Sequence, residues 1–368
     1  MIDWIALTVV SVVLAVVAGW AVPAWVAKRL VAAQQAGGAG VANFRGRKVA
    51  LGLGLVWLVW VVGIAGLSNL IGFASQLVTG SIQGAGLVPQ DWWNVVAFAP
   101  FPTVSHAIPI ILVIGAVAFG LADDALGGGS DKGFRGHLAA LREGRLTTGM
   151  LKLLGIGLLS FVTATSIAST MDNSDPWVAA TTGWTHGALL ALGWLAATLV
   201  IALAANLVNL TDLRPGRALK TYSVLAVIGT GLCMWGFWKA LEAAIINSAA
   251  AEAAQGAAAA TPGLPTSPQQ LWIWGIGSTL CLLILVLGPV AALWRHDLGE
   301  HAMLGDAGAN AMGGLAGYLL ARSAPLWLLG VLALLLVALN LVSERVSFSA
   351  VIEKVPVLAW LDGLGRRD

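Results

Sequence analysis

Long apolar runs separated by short polar stretches repeat along the whole chain. Most of the runs hold about 20 residues, which is the length that an α-helix needs to cross a bilayer. Backbone polar groups in lipid must be paired within the segment, so the runs predict spanning helices. A membrane β-barrel is instead typical of short alternating segments, which the sequence lacks. We predict nine spans, at about residues 4–27, 49–77, 105–122, 150–169, 178–205, 220–246, 271–293, 308–322 and 325–342.

Composition supports the same fold class. The chain is 58% hydrophobic and only 10% charged, whereas soluble domains carry roughly a quarter charged residues. Cys233 and Cys281 lie inside apolar runs, so we interpret them as small buried hydrophobes and not as a disulfide or a metal site. We expect an all-α polytopic integral membrane protein with one transmembrane domain at 1–342 and an amphipathic tail at 343–368. We expect no nucleic-acid partner.

The distribution of lysine and arginine predicts the orientation. These residues collect between spans one and two, three and four, five and six, and seven and eight, and in the tail. Positive charge marks the cytoplasmic side, so we expect the N-terminus outside and the C-terminus inside. An odd number of spans agrees with termini on opposite sides. Of the outer segments, we expect 249–268 to be a flexible loop and the Trp-rich stretch 86–103 to lie at the membrane interface.

Four carboxylates stand at the predicted cytoplasmic ends of spans, where burial in the membrane would be costly. Asp123 and Asp124 close the third span, Asp212 closes the fifth, and Asp306 precedes the eighth. We expect them to converge on one pocket that opens to the cytoplasm. Carboxylate oxygens suit Mg²⁺, which typically takes one or two carboxylates together with substrate phosphates.

Basic and amide side chains follow these carboxylates closely. A glycine-rich backbone beside lysine or arginine suits phosphate, and amide groups suit a nucleoside or a sugar. The candidate substrate-binding residues are Lys132, Arg214, Arg217, Lys220, Asn206 and Asn209. Carboxylates, a metal and basic residues together indicate phosphoryl transfer, where positioning and charge neutralisation supply most of the catalysis.

Structural explanations compete with these assignments. Asp306 precedes a helix, where an Asp cap is common, and Asp212 before Arg-Pro suits a turn. Arg217 and Lys220 are equally explained as markers of the cytoplasmic side. Two adjacent carboxylates at a helix C-terminus oppose the helix dipole, so a function is favoured for the Asp123–Asp124 pair.

Three blocks then occur in a fixed order: Asp123-Asp124, Asn206-Leu-Val-Asn-Leu-Thr-Asp212, and Met303-Leu-Gly-Asp-Ala-Gly308. Their order and helix-end positions resemble the polyprenyl-phosphate N-acetylhexosaminyl-1-phosphate transferase superfamily, glycosyltransferase family 4. That superfamily includes phospho-N-acetylmuramoyl-pentapeptide transferase and undecaprenyl-phosphate N-acetylglucosaminyl-1-phosphate transferase. The resemblance covers about residues 105–342.

The resemblance implies a reaction at the cytoplasmic face of the inner (plasma) membrane, in the synthesis of cell-envelope glycans. A UDP-sugar and a polyprenyl phosphate would give a polyprenyl-diphosphate sugar and UMP, with Mg²⁺ or Mn²⁺ as cofactor. Asp306, with Asp124, would bind the metal. Asp123 and Asp124 would serve the metal, the lipid phosphate or its deprotonation. Asn206, Asn209 and Asp212 would line the nucleotide side.

The chain also departs from the family pattern. The last cytoplasmic loop reads Ser343-Glu-Arg-Val-Ser-Phe-Ser349 without the histidines of several members, and the Thr-Pro-x-x-Gly-Gly block near the second span is missing. These departures indicate a divergent branch. A transporter of lipid-linked or anionic substrates and an inactive envelope scaffold stay as alternatives. The sugar, the lipid length and the oligomeric state, a homodimer included, are left open.

Overall fold

The structure, a computed structural model, describes residues 4–38, 40–66, 107–127, 133–255 and 268–366. Helices form almost all of it. The elements in chain order are α1 (Trp4–Val16), a π-helical turn (Val17–Ala21), α2 (Val22–Ala36), β1 (Val41–Ala42), β2 (Lys48–Leu51), α3 (Leu55–Gly66), α4 (Ala107–Leu126), α5 (Gly133–Arg142), α6 (Thr148–Ser174), α7 (Pro176–Ala179), α8 (Gly183–Thr211), α9 (Arg217–Gln255), α10 (Pro268–Leu298), β3 (Ala302–Met303), α11 (Gly305–Ser323), α12 (Leu326–Ser343), α13 (Phe348–Lys354) and α14 (Pro356–Gly363).

Seven helical segments among the described residues are long and apolar enough to cross a membrane. The chain is therefore an all-α polytopic membrane protein, as its sequence predicts. The count of nine spans and the orientation of the termini stay predictions. The seven segments are Thr8–Ala36, Pro109–Leu126, Thr148–Ser169, Gly183–Thr211, Arg217–Lys239, Trp272–Leu298 and Leu326–Ser343.

The centre of the bundle is α11, which is buried along nearly its whole length. It packs against α4, α8 and α9. Small residues at these contacts let the helix backbones approach one another closely, as is usual between helices in membranes. A Cβ atom added at Gly313 would lie 2.4 Å from the backbone oxygen of Ala204 and 2.5 Å from the Cα of Ala205.

A three-stranded sheet of order β1-β2-β3 ties the N-terminal third to the start of α11. Strands β1 and β2 are antiparallel, with Val41 opposite Val49. Strands β2 and β3 are parallel, with Ala50 opposite Ala302 and Leu51 opposite Met303. Since β3 directly precedes α11, the sheet fixes the chain where the central helix begins.

Several of the predicted boundaries differ from the structure. The first span was expected to end at residue 27, but its helical segment continues to Ala36, and the fifth was expected at 178–205, but its helix is Gly183–Thr211. The second span was expected to begin at residue 49, but 48–51 form β2 and the helix begins only at Leu55. The outer loop was expected from residue 249, but α9 continues to Gln255, because its Ala-rich end strongly favours helix. Residues 67–77 of the second span, the interfacial stretch 86–103 and the loop residues 256–267 lie outside the described residues.

Candidate functional site

The ends of α4 and α8 meet the beginning of α11. Asp124, in the last turn of α4, accepts hydrogen bonds from the backbone N–H groups of Asp306 (3.0 Å) and Ala307 (3.2 Å). Asp212, just after α8, accepts one from the N–H of Gly305. The first N–H groups of a helix have no partner within it. Carboxylates from two other helices therefore cap α11.

Two glycines make this contact possible. Gly305 has φ +69°, a left-handed conformation that favours glycine. A Cβ atom there would lie 2.6 Å from Oδ2 of Asp124. A Cβ atom at Gly120, one turn before Asp124, would lie 2.4 Å from the backbone N and Cα of Ala307. The close approach at Gly120 is what brings the Asp123–Asp124 pair to the first turn of α11.

Lys152 joins two of the predicted carboxylates. Its Nζ lies 2.6 Å from Oδ2 of Asp123 and also donates to Oδ2 of Asp306. The lysine is only 8% exposed, and a buried charge needs such partners. We call Asp123, Asp124, Lys152 and Asp306 the acidic cluster. Its three carboxylates outnumber its single cation, so the group is electronegative.

Lys152 is not among the residues predicted from the sequence, although the signal was present. The residue lies in the second turn of α6, inside an otherwise apolar span. An intramembrane cation is by itself a sign of a functional or paired group. Its position is set by Thr147, whose hydroxyl accepts the N–H of Met150 at 3.1 Å and so begins α6.

Asp212 lies beside the acidic cluster, where α8 ends. Pro215 and Gly216 follow it, with Gly216 at φ +80°, and neither continues a helix readily. Burial of the carboxyl group, together with the negative charges of Asp297 and Asp306, raises the pKa of Asp212 well above its usual range. Asp297 itself accepts the N–H of Gly216 at 2.6 Å.

The two predicted amide residues lie earlier on α8. Nδ2 of Asn206 donates to Oδ1 of Asn340 at 2.6 Å, so this side chain joins α8 to α12. Asn209 lies in the last turn of α8, and its carbonyl accepts the N–H of Asp212 at 3.1 Å. Of the two, Asn209 is closer in the chain to the acidic end of the helix. Substrate binding by either residue stays a prediction.

The predicted basic residues after α8 contact the C-terminal tail. Arg217 is 4% exposed and forms two hydrogen bonds to the carboxylate of Asp362, at 2.8 and 2.9 Å. Lys220 donates to the carbonyls of Leu361 and Asp362. Arg214 lies 2.6 Å from Glu353. A substrate that uses these cations must share them with the tail. Lys132 lies outside the described residues.

The oxygen ligands of the acidic cluster fit a hard divalent cation. Among the described residues, no group of three or more His, Cys, Asp or Glu side chains is arranged to hold a metal. Mg²⁺ does not require one, since it commonly uses one or two carboxylates with substrate phosphates and water. The carboxylates of Asp123 and Asp306 already share one cation, the ammonium of Lys152.

Comparison with known proteins adds no family to this description. No protein-family model matches the chain, and no curated protein matches it.

Proposed function

We propose that this chain is a membrane transferase that moves a sugar 1-phosphate from a UDP-sugar to a polyprenyl phosphate. The sugar is an N-acetylhexosamine, and the products are the polyprenyl-diphosphate sugar and UMP. The observation that supports the proposal is the meeting of three motifs, distant in sequence, at the first turn of α11. Asp124 and Asp212, at the ends of α4 and α8, accept hydrogen bonds from the N–H groups of Asp306 and Gly305 in that turn.

In the proposed reaction, an oxygen of the lipid phosphate attacks the phosphorus that carries the sugar. A new P–O bond forms, the bond from that phosphorus to the bridging oxygen breaks, and UMP leaves with the bonding electrons. The sugar stays on the phosphorus throughout. Catalysis of such a transfer depends mainly on holding the groups in line and on neutralising charge.

Lys152 is suited to hold the transferred phosphoryl group. Its ammonium is held by Asp123 and Asp306 at the cluster, and lysine serves as a point charge for phosphate. Desolvation strengthens the interaction, because the same charge acts more strongly away from water. We assign Asp212 and Asn209 to the nucleotide.

Mg²⁺ or Mn²⁺ belongs to this proposal as a cofactor that neutralises the diphosphate when bound. We assign Asp306 and Asp123 as its ligands. Asp124, expected from the sequence to be a ligand, uses both carboxylate oxygens on the N–H groups of α11. Asp124 therefore serves to position the helix that carries Asp306. We further propose that the site faces the cytoplasm from the inner membrane.

The test is a panel of radiolabelled UDP-sugars with the purified protein, undecaprenyl phosphate and Mg²⁺, scored for lipid-soluble product. Asp306→Asn keeps the size of the side chain but removes its charge. We expect this variant to cut turnover by about 10²-fold or more, which is the usual effect of removing a side chain that stabilises charge in the transition state. Glu143→Gln is the matched control, because Glu143 is an exposed carboxylate whose ion pair with Arg145 is also exposed.

Lipid-soluble product that depends on Asp306 and disappears with a chelator supports the transferase. Absence of product with every UDP-sugar, from a monodisperse preparation, removes it. If the Asp306→Asn variant formed product at the wild-type rate, the role of the acidic cluster would be refuted.

A further inference from the structure

A cavity lined by residues outside the acidic cluster lies between the N-terminal and C-terminal parts of the bundle. It has a volume of about 500 Å³ and is bounded by α2, by the last turns of α10 and by Gly365 of the tail. Ligand pockets commonly measure roughly 300–1,000 Å³, so the space is large enough for a headgroup. The polar residues that line it are Lys28, Gln35, Arg295, His296 and His301.

The cavity is basic. Lys28 and Arg295 supply two cationic side chains, and the rings of His296 and His301 lie 6.5 Å apart. No carboxylate is among the described residues that line the cavity. Nε2 of His296 is buried and has no hydrogen-bonding partner within the described part of the chain. A lining with cations and without a carboxylate favours an anionic ligand.

Two carboxylates, Asp297 and Glu300, are neighbours in sequence of residues that line the cavity, but they do not neutralise its cations. Asp297 accepts the N–H of Gly216. Glu300 accepts Nδ2 of Asn43 at 2.9 Å and pairs with Arg45 at 3.4 Å. Both negative charges are therefore engaged by residues outside the cavity, so within the described part of the chain they do not neutralise Lys28 and Arg295.

The remaining wall is apolar and continues into two spanning segments. Val31 and Leu298 line the cavity, close to where the segments Thr8–Ala36 and Trp272–Leu298 end. Cations at the ends of spans, above an apolar wall, match an amphiphile with an anionic head. Basic pockets between transmembrane helices are a known type of lipid-headgroup site.

We propose that this cavity binds a phosphate group, and that the phosphate is the headgroup of an anionic membrane lipid. Lys28 and Arg295 pair with the phosphate oxygens, and the chains of the lipid lie along Val31 and Leu298. The site is separate from the acidic cluster and does not depend on the transferase function.

The experiment measures equilibrium binding to the purified full chain in detergent with three probes: short-chain phosphatidic acid, phosphatidylcholine with the same chains, and inorganic phosphate. We expect saturable binding of phosphatidic acid. The variant Lys28→Gln with Arg295→Gln should weaken it by about fivefold for each charge removed, and so by about 25-fold for the pair. Both side chains are exposed, so their replacement should leave the fold intact.

Two further variants make the result specific. Ala32→Trp keeps every charge but fills the cavity, which Ala32 also lines, and it should block binding. Arg142→Gln removes an exposed cation from α5 and should leave binding unchanged. Inorganic phosphate that competes as strongly as phosphatidic acid would support the anion site and assign it to free phosphate. Equal binding of phosphatidylcholine, or unchanged binding by the double variant, would overturn the proposal.

Discussion

At the scale of single residues, Lys152 explains how two acidic side chains lie together in an apolar bundle. Its exposed fraction is 8%, and it contacts both Asp123 and Asp306. Removing one partner of a buried ion pair leaves the other charge uncompensated, which is strongly destabilising. The lysine therefore contributes to folding as well as to any chemistry at the cluster.

We predict that Lys152→Met lowers the free energy of unfolding by about 3 kcal/mol, because Asp123 and Asp306 then repel each other without a cation between them. Chemical denaturation in detergent measures this. Lys239→Met is the matched control, since Lys239 pairs with Glu242 on an exposed surface, where such pairs contribute little.

A double variant separates repulsion from lost packing. Adding Asp306→Asn to Lys152→Met removes one of the two repelling charges and should restore part of the lost stability. If Lys152→Met and Lys239→Met were equally stable, the buried ion cluster would not exist as described.

The carboxylates of the site were predicted from sequence, whereas Lys152 was not, although the cost of burying a charge in a span applies to it equally. Asp123, Asp124, Asp212 and Asp306 stand at the ends of apolar runs, and acidic residues are conspicuous there. The charge rule uses lysine and arginine only as loop markers, so it passed over a lysine that begins a span. The capping of α11 by Asp124 and Asp212 depends on contacts between distant segments, which no local pattern reports.

At the scale of elements, the contact of α11 with α8 depends on the small residues between them. Gly313 lies against the backbone at Ala204 and Ala205. A methyl group at this position must push the two helices apart. In contrast, a Cβ atom at Gly236 of α9 would meet no atom within 4 Å.

We predict that Gly313→Ala destabilises the protein by about 1–3 kcal/mol, the usual cost of overpacking. Gly236→Ala should be neutral or stabilise by up to about 1 kcal/mol, because alanine favours helix more than glycine does. Thermal unfolding of the two purified variants measures the difference. A Gly313→Ala protein as stable as Gly236→Ala would contradict the close approach of α8 and α11.

The tail is a second case in which an element depends on distant partners. Burial acts to raise the pKa of Asp362, but its hydrogen bonds and charge contacts with Arg217 and Arg366 outweigh burial and hold that pKa below its usual range. A carboxyl group with a lowered pKa in the folded state stabilises the docked tail above its unfolded pKa, near 4. The stabilisation is lost as the pH falls through the lower, folded pKa.

We predict that Asp362→Asn releases α13 and α14 at neutral pH, seen as faster hydrogen exchange of residues 348–363. The wild-type tail should show the same release only in acid, below about pH 4. Glu353→Gln is the control, because its pair with Arg214 is half-exposed and should contribute little. Unchanged exchange in Asp362→Asn would mean that the tail is held by other contacts.

At the scale of the whole molecule, the apolar runs were sufficient to predict an all-α membrane protein, because length and hydropathy alone limit how a chain can cross lipid. Smaller features were not predictable. The strands β1, β2 and β3 contain two to four residues each, and their pairing joins residues 48–51 to residues 302–303. Such short strands form through tertiary contacts. They are too short to show the alternation of apolar and polar residues by which a strand is recognised in a sequence.

The orientation in the membrane is the remaining prediction at this scale, and α6 provides the cleanest test. The helix spans Thr148–Ser174, which at about 1.5 Å per residue is roughly 40 Å and enough to cross the bilayer. Glu143 precedes it and Thr181 follows it. In a background with Cys233 and Cys281 replaced by alanine, a cysteine at position 143 should react with a membrane-impermeant thiol reagent only from the cytoplasmic side. A cysteine at position 181 should react only from the outside. Labelling of both positions from one side would mean that α6 does not span, and exchanged sides would reverse the orientation and carry the acidic cluster to the outer face.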